Sequence, residues 1–132
     1  MPSPSDDSLP PYSSTPIIAT CHCNGITLIL PFPPTSVTEC HCSICRRYGA
    51  IWAYYPHRDA LVTAEAGHSN VKYIRSDPGS AGDAEFQFCS KCGCATHVTS
   101  LNEENPERMM AVNVRMVDPE VWAGAERTKV TA

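Results

Sequence analysis

The sequence predicts a mainly β domain, for two reasons. Short runs of β-branched and aromatic residues are separated by Gly, Pro, Asn and Asp, and no long segment has the periodicity of an amphipathic helix. The 132 residues are enough for one domain with a buried core. Residues 1–16 are rich in Pro and Ser and bury too little apolar surface to offset their ordering entropy. We therefore expect a disordered N-terminal lead over residues 1–16 and one folded domain over residues 17–132.

A hairpin is predicted at the start of the domain. Residues 17–23 and 26–30 are strand-like and flank Asn24-Gly25, the strongest sequence signal for a two-residue type I′ turn. Residues 38–40 are predicted to form a further short strand. Residues 42–49 are predicted to form one helical turn that Gly49 closes.

The rest of the chain continues the β pattern. Turn-forming residues occupy positions 77–83, and Asp118 is placed to cap one helical turn over residues 121–123. The remaining predicted strands cover residues 50–56, 60–64, 71–76, 85–89, 95–99 and 109–117.

Composition and charge exclude several classes of function. The formal net charge of -4 disfavours binding to a nucleic-acid backbone, which needs a basic surface. No stretch approaches the roughly 20 apolar residues of a membrane span, and the N-terminus lacks the apolar core of a signal peptide. We expect a cytoplasmic protein with reduced thiols and with neither nucleic-acid nor membrane partners.

The eight cysteines fall into three tight clusters. Thiols two or three residues apart strain a disulfide, but they can converge on one tetrahedral zinc ion. The sequence therefore predicts two bound Zn²⁺ ions. The clusters are a C-x-C at Cys21 and Cys23, a C-x-C-x-x-C at Cys40, Cys42 and Cys45, and a C-x-x-C-x-C at Cys89, Cys92 and Cys94.

The outer two clusters predict a closed structural site. Cys89 and Cys92 form a knuckle followed by Gly93, which permits the positive φ that such turns often need. The natural second pair is Cys21 and Cys23. Four thiolates leave no open position, and closed sites are structural.

The middle cluster predicts a different site. Three protein ligands (Cys40, Cys42 and Cys45) with one open position are typical of a catalytic zinc. A fourth protein ligand, with Cys94 and His41 as candidates, would close the site instead, and the sequence leaves this alternative open.

Two arginines, Arg46 and Arg47, directly follow Cys45. Cations at this position favour the thiolate form and could bind an anionic substrate group. The alternative is that they only balance a negative zinc centre. A catalytic acid or base is not singled out: the candidates are His41, His57, His97, Glu39 and Asp59.

These motifs resemble the glutathione-dependent formaldehyde-activating enzyme (GFA) family, also called the CENP-V/GFA domain family. The similarity covers about residues 17–122. It rests on the first C-x-C, on C-H-C-S-x-C-R-R-x-G-A over residues 40–50, on F-C-x-x-C-G over residues 88–93, and on Tyr73-x-Arg75-Ser76.

The resemblance implies a β-tent (Mss-four-like) fold with a structural zinc on Cys21, Cys23, Cys89 and Cys92. It implies a catalytic zinc on the three thiols of the middle cluster. The implied activity is a carbon–sulfur lyase reaction on S-hydroxymethylglutathione or a related adduct of a thiol and an electrophile, for which a specialised biosynthetic pathway is one setting. The competing interpretation is a non-catalytic, zinc-stabilised β-tent binding module. The partner is expected to be a small molecule, and whether the protein forms a homodimer stays open.

Overall fold

The computed structural model describes residues 16–75, 84–100 and 107–130. Most of the predicted N-terminal lead and the predicted loop over residues 77–83 lie outside these ranges. Two one-turn α-helices, α1 (Cys45–Tyr48) and α2 (Pro119–Trp122), and two 3-10 turns (His57–Asp59 and Val114–Met116) accompany the strands. The strands are β1 (Ile17–Thr20), β2 (Ile26–Leu30), β3 (Ser36–Cys40), β4 (Trp52–Pro56), β5 (Leu61–Ala64), β6 (Asn70–Ile74), β7 (Ala84–Cys89), β8 (Ala95–Ser100), β9 (Met109–Asn113) and β10 (Glu126–Val130).

The strands form two sheets, and the predicted mainly β class is confirmed. The smaller sheet has the order β1-β2-β5 and is antiparallel. The larger sheet has the order β10-β3-β4-β9-β8-β7-β6, with β10 and β3 parallel and the other neighbours antiparallel. Within the described ranges, no helix is long and apolar enough to cross a bilayer.

The larger sheet carries a different apolar core on each face. Successive side chains of a strand point to opposite faces, so Ala53 and Tyr55 of β4 join the first core while Trp52 joins the second. The first core lies between the two sheets, and its buried members include Ala19, Ile26, Leu28, Leu30, Val37, Met110 and Val112. The second core is smaller and contains Cys42, Cys45, Ala50, Trp52 and Phe86. A cysteine cluster is thus built into each face.

The turn between β1 and β2 differs from the predicted two-residue type I′ turn. A type I′ turn needs positive φ at both central residues. Asn24 has φ 65°, but Gly25 is not among the positive-φ residues. Strand β1 ends at Thr20, and Cys21 and Cys23 lie in a wider turn that the Asn24 N–H bond to the Cys21 carbonyl closes at 3.0 Å. The predicted strand over residues 17–23 is therefore too long, because the wider turn is what brings both thiols to one side.

In the C-terminal part, one predicted strand is too long and one strand was not predicted from the sequence. The predicted strand 109–117 ends at Asn113, whose Oδ1 accepts the Arg115 N–H at 3.2 Å and starts a 3-10 turn. Strand β10 pairs in parallel with β3 and is exposed throughout, so its sequence has no apolar alternation to reveal it.

Both predicted helical turns are present, although α2 covers Pro119–Trp122 and not the predicted residues 121–123. Gly49 ends α1 with φ 66°, a conformation that glycine adopts without strain. Asp118 Oδ1 accepts the Glu120 N–H at 3.1 Å and caps α2, which begins at Pro119.

Candidate metal centres

The first candidate centre joins the β1–β2 turn to the end of β7. The ligand atoms of Cys21, Cys23, Cys89 and Cys92 all lie within 4.8 Å of one another. The Sγ of Cys23 is 3.6 Å from the Sγ atoms of both Cys21 and Cys89. Four sulfurs at about 2.3 Å from a central zinc ion lie roughly 3.8 Å apart. The spacing therefore fits one tetrahedral zinc ion, and all of these cysteines are free thiols.

Backbone N–H groups point at the sulfurs of this four-thiol centre. Cys21 Sγ accepts the Ile26 N–H at 3.2 Å, and Cys89 Sγ accepts the Lys91 N–H at 3.3 Å. Burial opposes ionisation of Cys92, but N–H groups of Cys94 and Cys23 and the neighbouring thiols outweigh it and lower the Cys92 pKa to about 6. The polypeptide is therefore arranged to hold thiolates here.

The second candidate centre lies on the opposite face of the larger sheet. The sulfur atoms of Cys40, at the end of β3, and of Cys42 and Cys45, around the start of α1, lie within 4.8 Å of one another. Cys42 Sγ accepts the Cys45 N–H at 3.5 Å, and Cys45 Sγ accepts the indole N–H of Trp52 at 3.3 Å. This set also suits a zinc ion, since thiolates are its preferred soft ligands.

The thiols of this three-thiol centre differ in acidity. Burial opposes ionisation of Cys42, yet the Cys45 N–H and the neighbouring thiols lower its pKa to about 7. Burial raises the pKa of Cys45 to about 12, with Cys42 adding to the rise and the Trp52 N–H working against it. Between these two thiols, the surroundings favour the thiolate at Cys42 and oppose it at Cys45, where a bound metal ion would favour it.

Neither candidate fourth ligand joins the three-thiol centre among the described residues. Cys94 packs against the first core, on the other face of the sheet, and its Sγ lies 3.8 Å from the Ala95 carbonyl. His41 Nε2 lies 2.6 Å from Glu39 Oε2 instead. This arrangement supports the open site, and its catalytic role stays a prediction.

The two predicted substrate-binding arginines point into different cavities. Arg46 lines a polar cavity of about 120 Å³ together with Cys40 and Cys45. Arg47 lines a larger cavity of about 610 Å³ beside α1. The two arginines therefore do not form a joint binding site for one small anion in a common cavity.

A third arginine, Arg75, lies at the three-thiol centre. Its Nη1 is 3.8 Å from Cys42 Sγ, and its Nη2 is 3.5 Å from Ser43 Oγ. Arg47 Nη1 donates to the Ser43 carbonyl at 2.5 Å, so Arg47 and Arg75 converge on Ser43. Arg75 belongs to the family motif Tyr73-x-Arg75-Ser76, but it lies 33 residues from Cys42 in the chain, so the sequence alone does not reveal this contact.

The acid–base candidates are also separated. Glu39 and His41 line the polar cavity, and Arg127 followed by His41 holds the pKa of Glu39 below its usual range. His57 and Asp59 lie in the 3-10 turn after β4. His97 pairs in register with Val112 of the first core, and burial lowers its pKa to about 4. Of the five candidates, Glu39 and His41 line a cavity together with the thiols.

Comparisons with known proteins agree with this geometry. The family described as glutathione-dependent formaldehyde-activating enzyme matches residues 16–129. A crystal structure of a protein from Rhodobacter sphaeroides is similar at a TM-score of 0.64 and 29% sequence identity, covering 85% of this chain and 100% of that one. The search among curated proteins finds no match.

Proposed function

The chain belongs to the glutathione-dependent formaldehyde-activating enzyme family, and from this premise we propose that it is a zinc-dependent carbon–sulfur lyase. Its substrates are hemithioacetals, the adducts of a thiol and an aldehyde. The observation that carries the proposal is the three-thiol centre: Cys40, Cys42 and Cys45 gather within 4.8 Å without a fourth protein ligand among the described residues. One cavity is lined by Cys40 and Cys45, and a second is lined by Ser43 and Ile44, which lie in the chain between Cys42 and Cys45.

The proposed reaction is redox-neutral and reversible. The hydroxyl of R–S–CH(R′)–OH loses its proton, and the O–H electron pair forms the carbonyl bond. The C–S bond breaks, its electron pair leaves with sulfur, and the thiolate takes up a proton. A zinc ion held by the three thiolates would supply Lewis-acid chemistry, either toward the hydroxyl oxygen or toward the leaving sulfur.

The chain's own residues support the formation of the metal site and the attraction of an anionic substrate. The lowered pKa of Cys42 provides a thiolate at neutral pH, and the Trp52 N–H stabilises the thiolate form of Cys45. Three thiolates around a divalent ion leave a net negative charge, which the guanidinium of Arg75 offsets from 3.8 Å. The same guanidinium attracts an anionic thiol substrate.

We assign the four-thiol centre a structural zinc. Its thiols come from the β1–β2 turn, from the end of β7 and from the connection that follows β7, so one ion would tie the smaller sheet to the larger one. Such a site contributes its binding free energy to folding.

Two measurements test the proposal on the zinc-loaded protein. Exchange NMR on a mixture of glutathione and formaldehyde should show faster interconversion of free thiol and adduct than the same mixture without protein. X-ray absorption should give about 3.5 sulfur ligands per zinc, the mean of four and three, rising toward 4 when glutathione is added. A mean near 4 without added thiol, together with uncatalysed exchange for every adduct tried, would leave the binding-module interpretation instead.

A further inference from the structure

The cavity beside the three-thiol centre has a chemistry that the family's small polar substrate does not need. It measures about 610 Å³ and is lined by Ser43, Ile44, Arg47, Tyr48, Tyr73 and Phe88. Ser43 and Ile44 lie in the chain between Cys42 and Cys45, so the cavity adjoins the thiols. Four of these six residues are aromatic or aliphatic, and among them only Arg47 is charged.

The aromatic walls are held in place by the larger sheet. Tyr73 lies opposite Phe86, and Val71 lies opposite Phe88, on the pair of strands β6 and β7. The rings of Tyr48 and Phe86 pack at 5.8 Å between centroids, which joins α1 to this wall. Tyr73 is nevertheless 44% exposed. An aromatic side chain held against a rigid wall yet open to solvent is suited to contact a ligand.

The size and polarity of the cavity decide what fits it. Cavities of 300–1,000 Å³ typically bury ligands of drug size. The hydroxymethyl group of a formaldehyde adduct adds a single carbon. Glutathione carries two carboxylates, and a carboxylate placed against the aromatic and aliphatic walls, away from Arg47, loses hydration without gaining a partner.

We propose that the preferred substrates are hemithioacetals that carry an aromatic or similarly bulky apolar group, which occupies this cavity while the C–S bond lies at the three thiols. This inference rests on the proposed lyase function and specifies its substrate class. The apolar group can belong to the aldehyde half or to the thiol half, since both are attached to the reacting carbon or sulfur. The Arg75 and Arg47 guanidinium groups, which converge on Ser43 at the edge of the cavity, would receive an anionic group of either half.

The test compares three adducts on the zinc-loaded protein by exchange NMR. They are glutathione with formaldehyde, glutathione with phenylacetaldehyde, and phenylmethanethiol with formaldehyde. We expect kcat/KM for at least one aromatic adduct to exceed that for the first mixture by about tenfold or more. The larger of the two aromatic effects identifies the half that enters the cavity.

Two matched variants locate the effect. Tyr73→Ala removes one aromatic wall on the edge strand β6, where a half-exposed side chain contributes little to the core. The ratio of aromatic to formaldehyde kcat/KM should fall about tenfold. Ile74→Ala shortens the neighbouring side chain, 46% exposed on the opposite side of the same strand, and should leave the ratio unchanged.

Each outcome decides a different claim. A glutathione–formaldehyde adduct cleaved as well as the aromatic adducts, or better, would overturn the substrate inference and leave the lyase proposal standing. An aromatic preference that Tyr73→Ala preserves would overturn the assignment to this cavity. Exchange at the uncatalysed rate for all three adducts would overturn both proposals.

Discussion

The indole N–H of Trp52 donates a hydrogen bond to Cys45 Sγ at 3.3 Å. Trp52 lies on the second-core face of β4, and Cys45 begins α1, so this contact fixes the helical turn against the sheet. The contact also stabilises the thiolate form of Cys45, which burial opposes by raising the pKa of this thiol to about 12. We therefore expect a residue outside the ligand set to tune the metal affinity of this centre.

Trp52→Phe tests this contact. Removing the N–H should raise the Cys45 pKa further and lower zinc affinity of the three-thiol centre about tenfold, measured by chelator competition. Trp122→Phe is the matched control, because the buried indole nitrogen of Trp122 has no hydrogen-bond partner among the described residues. It should leave that affinity unchanged. Equal zinc affinities in Trp52→Phe and the wild type would refute a role for the indole N–H.

Cys42→Ser should separate the two centres. The variant should stay folded, bind about one zinc and lose turnover, because the three-thiol centre loses one of its three ligands. Zinc content by mass spectrometry and adduct exchange by NMR measure the two effects. Cys94→Ser is the control, since Cys94 belongs to neither centre, and it should bind about two zinc ions and retain turnover. Loss of both ions in Cys42→Ser would show that the centres depend on each other.

Cys92→Ser should affect folding. Cys92 completes the four-thiol centre, and a structural zinc site contributes roughly 10–16 kcal/mol of binding free energy to the folded state. We expect an insoluble protein or a large drop in the melting temperature, followed by circular dichroism with zinc in excess. A soluble variant with wild-type melting behaviour would count against a structural role for this centre.

The free energy of unfolding should decrease as the pH is lowered from about 6.5 to about 4, because the unfolded chain takes up a proton at His97 more readily than the folded chain does. Burial, followed by the charges of His57 and Lys72, lowers the His97 pKa from 6.5 to about 4. The unfolded chain therefore binds the proton at a higher pH than the folded chain does. The stabilising effect is present above pH 6.5 and disappears as pH falls toward 4, by up to about 3 kcal/mol.

The measurement for His97 is urea unfolding at several pH values with zinc in excess. His97→Gln removes the titrating group and should give a flatter dependence over this range. Because acid also protonates the thiols, the difference between the two proteins reports on His97 alone. Parallel curves would contradict the assignment.

Gly25→Ala should destabilise the protein by about 1–3 kcal/mol. A Cβ at position 25 would lie 1.9 Å from Cδ2 and 2.4 Å from Cγ of His68, so the whole ring must move. Thermal unfolding measures the effect. Gly124→Ala, whose added methyl meets nothing within 4 Å, should be close to neutral. In the His68→Ala background, Gly25→Ala should cost much less, and an unchanged cost there would place the strain elsewhere.

Local chemistry made much of this protein predictable. The C-x-C and C-x-x-C spacings indicated two groups of thiols, because ligands close in sequence can converge on the same ion, and both groups are present. Gly49 and Asp118 ended and began helical turns as expected, since capping depends on residues within one turn. Short β-prone runs predicted most of the strands, since strand preference and the turn residues that flank a strand are also local properties of the sequence.

The features that the sequence did not predict correctly share a physical cause, which is contact between segments that are distant in the chain. The exposed strand β10 exists because it pairs with β3, a choice that its own five residues do not encode. The turn at Cys21 widened because its thiols meet Cys89 across the fold, and this contact overrode the local preference of Asn24-Gly25 for a tight turn.

The sequence by itself determined the ligand chemistry and the mainly β class, because both follow from residue type and short-range spacing. Only the tertiary structure decided which face of the larger sheet each centre occupies, since alternation along a strand marks two faces without saying what covers either. It also separated Arg46 from Arg47 and brought Arg75 to Cys42. Those relationships arise from sheet order and strand register, which bring together residues far apart in the chain.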